Sequence, residues 1–238
     1  MKSSDQNWRR GSKRWILFIA IPGIALLLAL GAWQTYRLFW KIELNDFRSQ
    51  QIMSEPVALP EKLEPFSDWY YRPVFVLGSF QHDQEMYLAA RSFKSNVGYQ
   101  ILTPFKTLDG RIVIINRGWV PEAKKEASTR VKGQVKGTIR INGLVVKGQE
   151  DGFMRPENVP EEKFWYWIDL PEISRFLDIQ EQNFLIDADN AENYGGLPVG
   201  GQTRVILRNE HLQYAIVWYS LAIALGVITY IIRRRSKS

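Results

Sequence analysis

The chain has 238 residues, a formal net charge of +6 and no cysteine. That length allows one ordinary domain with accessory segments, and the missing thiols exclude disulfide staples, thiol–disulfide exchange and thiolate metal sites. The excess positive charge sits in Lys2, Arg9, Arg10, Lys13 and Arg14 at one end and Arg233, Arg234, Arg235 and Lys237 at the other; between Trp15 and Ile232 there are 22 Lys and Arg against 24 Asp and Glu, so no basic stripe follows a phosphate backbone and nucleic acid is excluded as a partner.

Residues 1–14 form a basic leader, too short, and with an acidic Asp5, for a typical mitochondrial transit peptide. Residues 15–33, "WILFIAIPGIALLLALGAW", are 19 residues without a charge, and as a helix they reach about 28 Å, close to the thickness of a bilayer's hydrocarbon. Buried core helices are seldom so long and uniformly apolar. A cleaved signal peptide would show small residues where "AWQTYRLFW" stands. The segment therefore reads as an uncleaved transmembrane helix.

Residues 34–211 form the central domain. "PVFVLGSF" and "EMYLAARSF" are strand-like and joined by the polar "QHDQ", which makes His82 a solvent-facing turn residue. "VGYQILTPFKT" and "RIVIINRGWVP" flank Leu108-Asp109-Gly110, and Asp-Gly between apolar runs signals a hairpin. "VKGTIRINGLVVKG" holds one or two strands, and "NFLIDAD" and "TRVILR" are short apolar runs. "PEISRFLDI" (171–179) reads as a helix with Pro171 in its first turn and Ile173, Phe176 and Leu177 on one face. "PEAKKEASTR" and "GQEDGFMRPENVPEEK" read as exposed loops, and the glycines of "GGLPVGGQTR" as a turn before a strand.

Residues 212–232 are a second uncharged run, of 21 residues, followed by the basic tail 233–238. By the positive-inside rule both tails are cytoplasmic and the central domain lies on the opposite face, which points to a bacterial inner membrane with a periplasmic domain. The expected fold is an α+β membrane protein, two transmembrane helices flanking a mainly antiparallel β domain with one or two helices.

Enzymatic signatures are missing. His82 and His211 are the only histidines, and neither stands near a nucleophile motif. The Gly-rich segment lacks the Lys-Ser/Thr of a phosphate loop, and without cysteine copper carriage is unsupported. What stands out is the outer membrane boundary, where Trp33, Gln34, Tyr36, Arg37 and Trp40 end the first span while Arg208, His211, Gln213, Tyr214 and Trp218 begin the second. His211, Tyr214, Ala215, Trp218 and Tyr219 share a helix face, and Ala215 and Ala222 leave room for another helix or a flat ligand. An aromatic belt with interfacial cations accounts for the Trp, Tyr and Arg. It accounts less well for His211, whose neutral imidazole is an iron ligand, with Tyr214 and Trp218 as an aromatic wall and Arg37 or Arg208 placed for propionates. Spacing alone leaves both readings of His211 open.

Ordered blocks across the chain carry a resemblance. "GAWQTYRLFWK" with Trp33, Gln34, Arg37, Trp40 and Lys41, "YYRPVFVLGSF" with Arg72, Pro73, Val74, Gly78 and Phe80, "GYQILTPF", "IINRGWVP" with Asn116, Arg117, Gly118, Trp119 and Pro121, and "GGQTRVILRNEHLQYAIVWYSLA" together resemble the Surfeit locus protein 1 family of cytochrome c oxidase assembly factors. The resemblance implies a two-span, non-enzymatic inner-membrane protein that transiently binds haem a, received from haem a synthase, and aids its insertion into the oxidase catalytic subunit. It implies His211 as the ligand to the haem iron. The chain departs from the family pattern at Glu210 and Val217. A membrane-anchored scaffold that binds no haem is the alternative implied by the same blocks.

Overall fold

The computed structural model describes residues 3–150, 152 and 154–235. The expected basic ends at Lys2 and Lys237, and loop residues Asp151 and Phe153, lie outside the described residues. The chain divides into two compact units, Met1–Phe47 with Ile206–Ser238, and Arg48–Val205. The first helix, α1 (Ser3–Ile52), runs through that boundary; Ile52 packs against the core of the second unit.

In the second unit the described strands are β1 (Val57–Ala58), β2 (Pro73–Phe80), β3 (Met86–Phe93), β4 (Asn96–Thr107), β5 (Ile112–Pro121), β6 (Ile139–Val146), β7 (Phe164–Trp165) and β8 (Leu185–Ala188), with one α-helix, α2 (Leu170–Phe176). They form one sheet in the order β1-β2-β6-β8-β5-β4-β3-β7, with a further pairing of β2 to β4. The sheet is mixed, which corrects the expected mainly antiparallel domain: β1–β2, β3–β7 and β5–β8 are parallel. Parallel neighbours need a long crossover, and β8 reaches β5 only after β6, β7 and α2 have been traversed.

The extra β2–β4 pairing closes a ring. β2 pairs with β6 from Pro73 to Gly78 and with β4 from Gly78 to Phe80, so β2-β6-β8-β5-β4 form a partly open five-stranded barrel among the described residues. Gly78 is the point where β2 passes from one partner to the other, and a Cβ there would stand 2.0 Å from the Lys106 carbonyl oxygen. Only glycine allows that approach.

Both faces of the sheet are covered. Val113 and Ile115 of β5 join one core with Val74, Val76, Phe105, Val145 and Ile186, while Ile114 between them joins the other with Leu88, Leu102, Trp165, Ile173 and Leu185. A strand buried on both faces reads as a continuous apolar run, as "IVII" does.

The Asp109-Gly110 hairpin forms as expected. Gly110 takes φ +89°, and Thr107 N donates to Arg111 O at 2.9 Å. Arg111 and Thr107 both hydrogen-bond Asp109 and hold its carboxyl well below the usual carboxylate range. The β3–β4 hairpin turns on Lys94 and Ser95, both at positive φ, without the Asn or Gly that signals such a turn. Helix α2 is shorter than expected: Asp169 caps its first turn by accepting from Glu172 N at 3.0 Å. Ile173 and Leu177 are buried but Phe176 is 36% exposed. "TRVILR" forms no strand, and the glycine turn before it leads into chain without a ladder partner.

In the first unit α1 pairs with α3 (His211–Arg235). Both helices are long and apolar enough to cross a membrane, and only 11% of each apolar stretch is buried, which is unlike the core helix of a soluble fold. Their shared seam is made of small residues. Ala20 and Gly31 of α1 and Ala215, Ala222 and Thr229 of α3 are buried. A Cβ on Gly31 would lie 2.6 Å from the Tyr219 ring. Ala215 and Ala222 thus admit α1, which is the helix partner their size allowed for.

Gly78→Ala is expected to lower the stability of the full chain in detergent by about 2–4 kcal/mol, from overpacking against backbone that cannot retreat. Gly110→Ala, where a Cβ meets nothing within 4 Å, should cost only about 1–2 kcal/mol of left-handed strain. Denaturation followed by near-UV circular dichroism measures both.

Candidate functional site

Helix α1 carries a polar face just past its apolar stretch, and that face holds the chain entering α3. Lys41 Nζ donates to Arg208 O at 2.9 Å. Asn45 donates to Leu207 O at 2.9 Å and accepts from Leu207 N at 2.9 Å, replacing a strand-like partner for that residue. Asn209 Nδ2 donates to Leu38 O at 3.3 Å and its Oδ1 accepts from His211 N at 3.4 Å. Gln34, Leu38, Lys41 and Asn45 recur every three or four residues, so they share one side of α1.

His211 is the first residue of α3 and is partly buried. Its Nδ1 lies 2.6 Å from Gln34 Oε1. An amide oxygen only accepts, so Nδ1 carries the hydrogen and donates. The lone pair is then on Nε2, which makes no hydrogen bond among the described residues. Metal-ligating histidines commonly have their second nitrogen held by an acceptor in this way, so the bond to Gln34 is compatible with a ligand role for Nε2.

The other expected residues are placed less uniformly. Tyr214 and Trp218 lie one and two turns along α3 from His211; Tyr214 is 49% exposed and Trp218 partly so. Tyr219 on the same face is engaged with α1, its hydroxyl 3.3 Å from Thr35 Oγ1. Arg37 stacks over the Trp40 ring at 4.3 Å. Arg208 is highly exposed and forms an ion pair with Glu210, whose other oxygen accepts from Gln213 at 3.5 Å. Glu210, a departure from the family pattern, is thus the partner of Arg208 and not an unpaired charge beside the imidazole. The structure joins His211 to Gln34 directly and leaves Arg37 and Arg208 engaged with their own neighbours.

A second polar constellation lies in the β unit, and the sequence reading missed it. Glu85, Arg117 and Arg130 are 3%, 2% and 5% exposed. Both arginines pair with the one carboxylate: Arg130 forks onto its two oxygens, and Arg117 approaches at 3.5 Å. Arg117 also donates to the Gly133 carbonyl and stacks over Phe80 at 4.6 Å. Burial pushes the Arg117 guanidinium down to about 10, so it remains charged at neutral pH. Arg130 comes from "PEAKKEASTR", expected as an exposed loop; the segment instead folds into short 3-10 turns with its arginine inside. His82 is not solvent-facing either. Its Nε2 lies 2.8 Å from Val135 O and its Nδ1 3.5 Å from Arg117, and burial holds its pKa below the ordinary value. Three polar residues spread over 45 positions give no periodic signal; only the acid–base pairing in three dimensions exposes them.

The remaining residues of "NRGW" are structural. Asn116 donates to Asp187 Oδ1 at 2.9 Å and accepts from Gly118 N at 3.2 Å, and Trp119 Nε1 donates to Arg91 O at 3.2 Å.

Comparison with known proteins now supplies a frame for these sites. Residues 21–223 match the profile of the SURF1 family. The chain is similar to a SURF1-like protein of Monosiga brevicollis, 37% identical over 239 residues covering 95% of this chain and 90% of that protein. It is similar to Surfeit locus protein 1 of Mus musculus, 36% identical over 232 residues covering 91% and 74% of the two chains. To Surfeit locus protein 1 of Homo sapiens it is 35% identical over 233 residues, 91% and 76%.

Glu85→Gln strands two buried guanidinium groups with no counter-charge, and is expected to cost about 3–5 kcal/mol of stability, measured by denaturation. For His82 the folded pKa is depressed, so below about pH 6.5 the unfolded chain binds a proton that the folded chain refuses. Its contribution is intact above that pH and is lost as pH falls toward the folded pKa. Denaturation midpoints should therefore drop between neutral and mildly acidic pH, and drop less in His82→Gln.

Proposed function

The chain belongs to the SURF1 family, and from that premise we propose that it is a two-pass assembly factor, not an enzyme, for haem-copper cytochrome c oxidase of the respiratory chain. In this reading it sits in a bacterial inner membrane, with both termini cytoplasmic and the β unit periplasmic. It acts as a chaperone for haem a, taken from haem a synthase and passed to the oxidase catalytic subunit. Membrane lipid surrounds α1 and α3, whose apolar surfaces are exposed along both helices.

The observation that carries the haem part is the His211–Gln34 bond. It fixes Nδ1 as donor and leaves Nε2 as a lone-pair nitrogen. Among the described residues no group of three or more His, Cys, Asp or Glu gathers to hold a bare ion. A single imidazole instead suits an iron already held by its macrocycle. Tyr214 and Trp218 supply aromatic surface beside the imidazole, and Arg37 and Arg208 would meet propionates only by leaving Trp40 and Glu210. Because the iron needs an accessible Nε2 and a fixed ring, Gln34 acts through His211 as a positioning residue.

The test is the absorption spectrum of protein purified from cells that make haem a. Wild type should carry haem, His211→Ala should lose it, and Gln34→Leu should weaken binding by about 10–100-fold while keeping the same ligand. Haem-free wild type, or equal haem in His211→Ala, overturns the ligand assignment. Oxidase that still assembles with haem a in the presence of His211→Ala would favour a scaffold that binds no haem.

A further inference from the structure

A cavity of about 1190 Å³ opens on the β unit, and no part of the haem reading uses it. Its walls are three runs of chain: Ala90 to Lys94 at the end of β3, Val146 to Glu150 after β6, and Gly201 to Arg204. Among the described residues five cations line it (Arg91, Lys94, Lys147, Arg155 and Arg204) against two acids, Glu150 and Asp187. The sequence between the helices carries slightly more acid than base, so this clustering is a local choice.

The two acids are already engaged. Glu150 lies 3.7 Å from Lys147. Asp187 accepts from Asn116 at 2.9 Å and from Thr203 at 2.7 Å, and burial raises its carboxyl pKa. Arg91 is the informative residue. It is partly buried, its guanidinium is desolvated enough to lower its pKa, and it meets no carboxylate or hydrogen-bond acceptor among the described residues. Its guanidinium donors therefore remain available to an acceptor that enters the cavity.

The backbone around the cavity has the same character. β7 covers β3 only at Tyr87 and Leu88, so Ser92 and Phe93 have no strand beyond them on that side, while the Arg91 carbonyl accepts from Trp119 Nε1 at 3.2 Å. Across the cavity, Gln202, Thr203 and Arg204 belong to no strand, and their amides and carbonyls make no backbone hydrogen bond among the described residues. Open extended backbone with cations beside it is the recognition pattern for an added strand bearing acidic side chains. A compact anion would use the cations and leave the backbone unmatched.

We propose that this cavity receives an extended acidic segment of a partner polypeptide, its backbone running along the open chain at Ser92–Phe93 or Gln202–Arg204 and its carboxylates on Arg91, Lys94 and Arg204. The proposal is independent of haem binding. Arg91 is the anchor, because it gains a charge-assisted partner from burial it already has. Lys94 and Arg204, both exposed, add charge attraction and salt dependence.

The probe is a short fluorescein-labelled peptide of alternating Glu and Val, titrated onto the full chain in nanodiscs and read by anisotropy. Binding should weaken as salt rises, a Lys–Val peptide should not bind, and Arg91→Ala should lose about tenfold or more in affinity. Arg204→Ala, at an exposed site, should lose severalfold; it keeps the test decisive if near-UV circular dichroism shows Arg91→Ala misfolded. Absence of binding, binding unchanged in Arg204→Ala, or equal binding of the Lys–Val peptide overturns the proposal. So does citrate that displaces the peptide as well as unlabelled peptide does, because the site would then belong to small anions.

Discussion

Two helices that are apolar on every side have almost nothing by which to choose a register, and in this chain Gly31 against Tyr219 makes the choice. Lipid-like surface offers no hydrophobic gain on pairing, so close approach at small residues must supply the attraction. Once the Tyr219 ring lies on Gly31, its hydroxyl falls beside Thr35 and the start of α3 falls beside Gln34. The His211 ring is therefore oriented by packing two turns away as much as by its own hydrogen bond. Shifting either helix by one residue would point the polar face of Gln34, Lys41 and Asn45 away from the chain it holds.

The β unit answers a different problem, that of placing charge inside. Glu85 meets two guanidinium groups, so the buried trio carries net positive charge. Such an arrangement contributes little net stability compared with apolar packing, yet removing one member is severe. Its value is in what it joins: the turn after β2 with His82, strand β5 through Arg117, and the 3-10 turns through Arg130. Those segments have little apolar surface of their own. Fixed donors and acceptors hold them where hydrophobic burial would not.

Much of the architecture was legible in the residues. Uncharged runs of helical length, the Asp-Gly turn and the apolar strand segments β2 to β5 each follow from local chemistry that the fold does not contradict. The mixed character of the sheet was not legible, because strand direction depends on how long crossovers return, and β1 and β7 are two residues each. "TRVILR" looks like a strand by composition, but it makes no ladder pairing among the described residues. For the site, His211 was singled out by type and position, whereas Gln34 was noticed only as a boundary residue. The signal that could have promoted it is the spacing of Gln34, Leu38, Lys41 and Asn45. Arg130 was hidden by its neighbours, four charged residues in the preceding eight positions, which read as solvated loop.

The ring of strands also bears on how this protein avoids itself. A sheet's outer strands template self-association when they are long and flat. Here the outermost described strands, β1 and β7, are two residues each, and β2, β6, β8, β5 and β4 are closed on one another. The uncovered end of β3 and the unpaired Gln202–Arg204 line a cationic cavity, where a second copy would have to bring a strand of matching acidity. Copies of this chain at high local concentration are in this way hindered from edge-to-edge pairing by geometry at the rim and by charge in the opening.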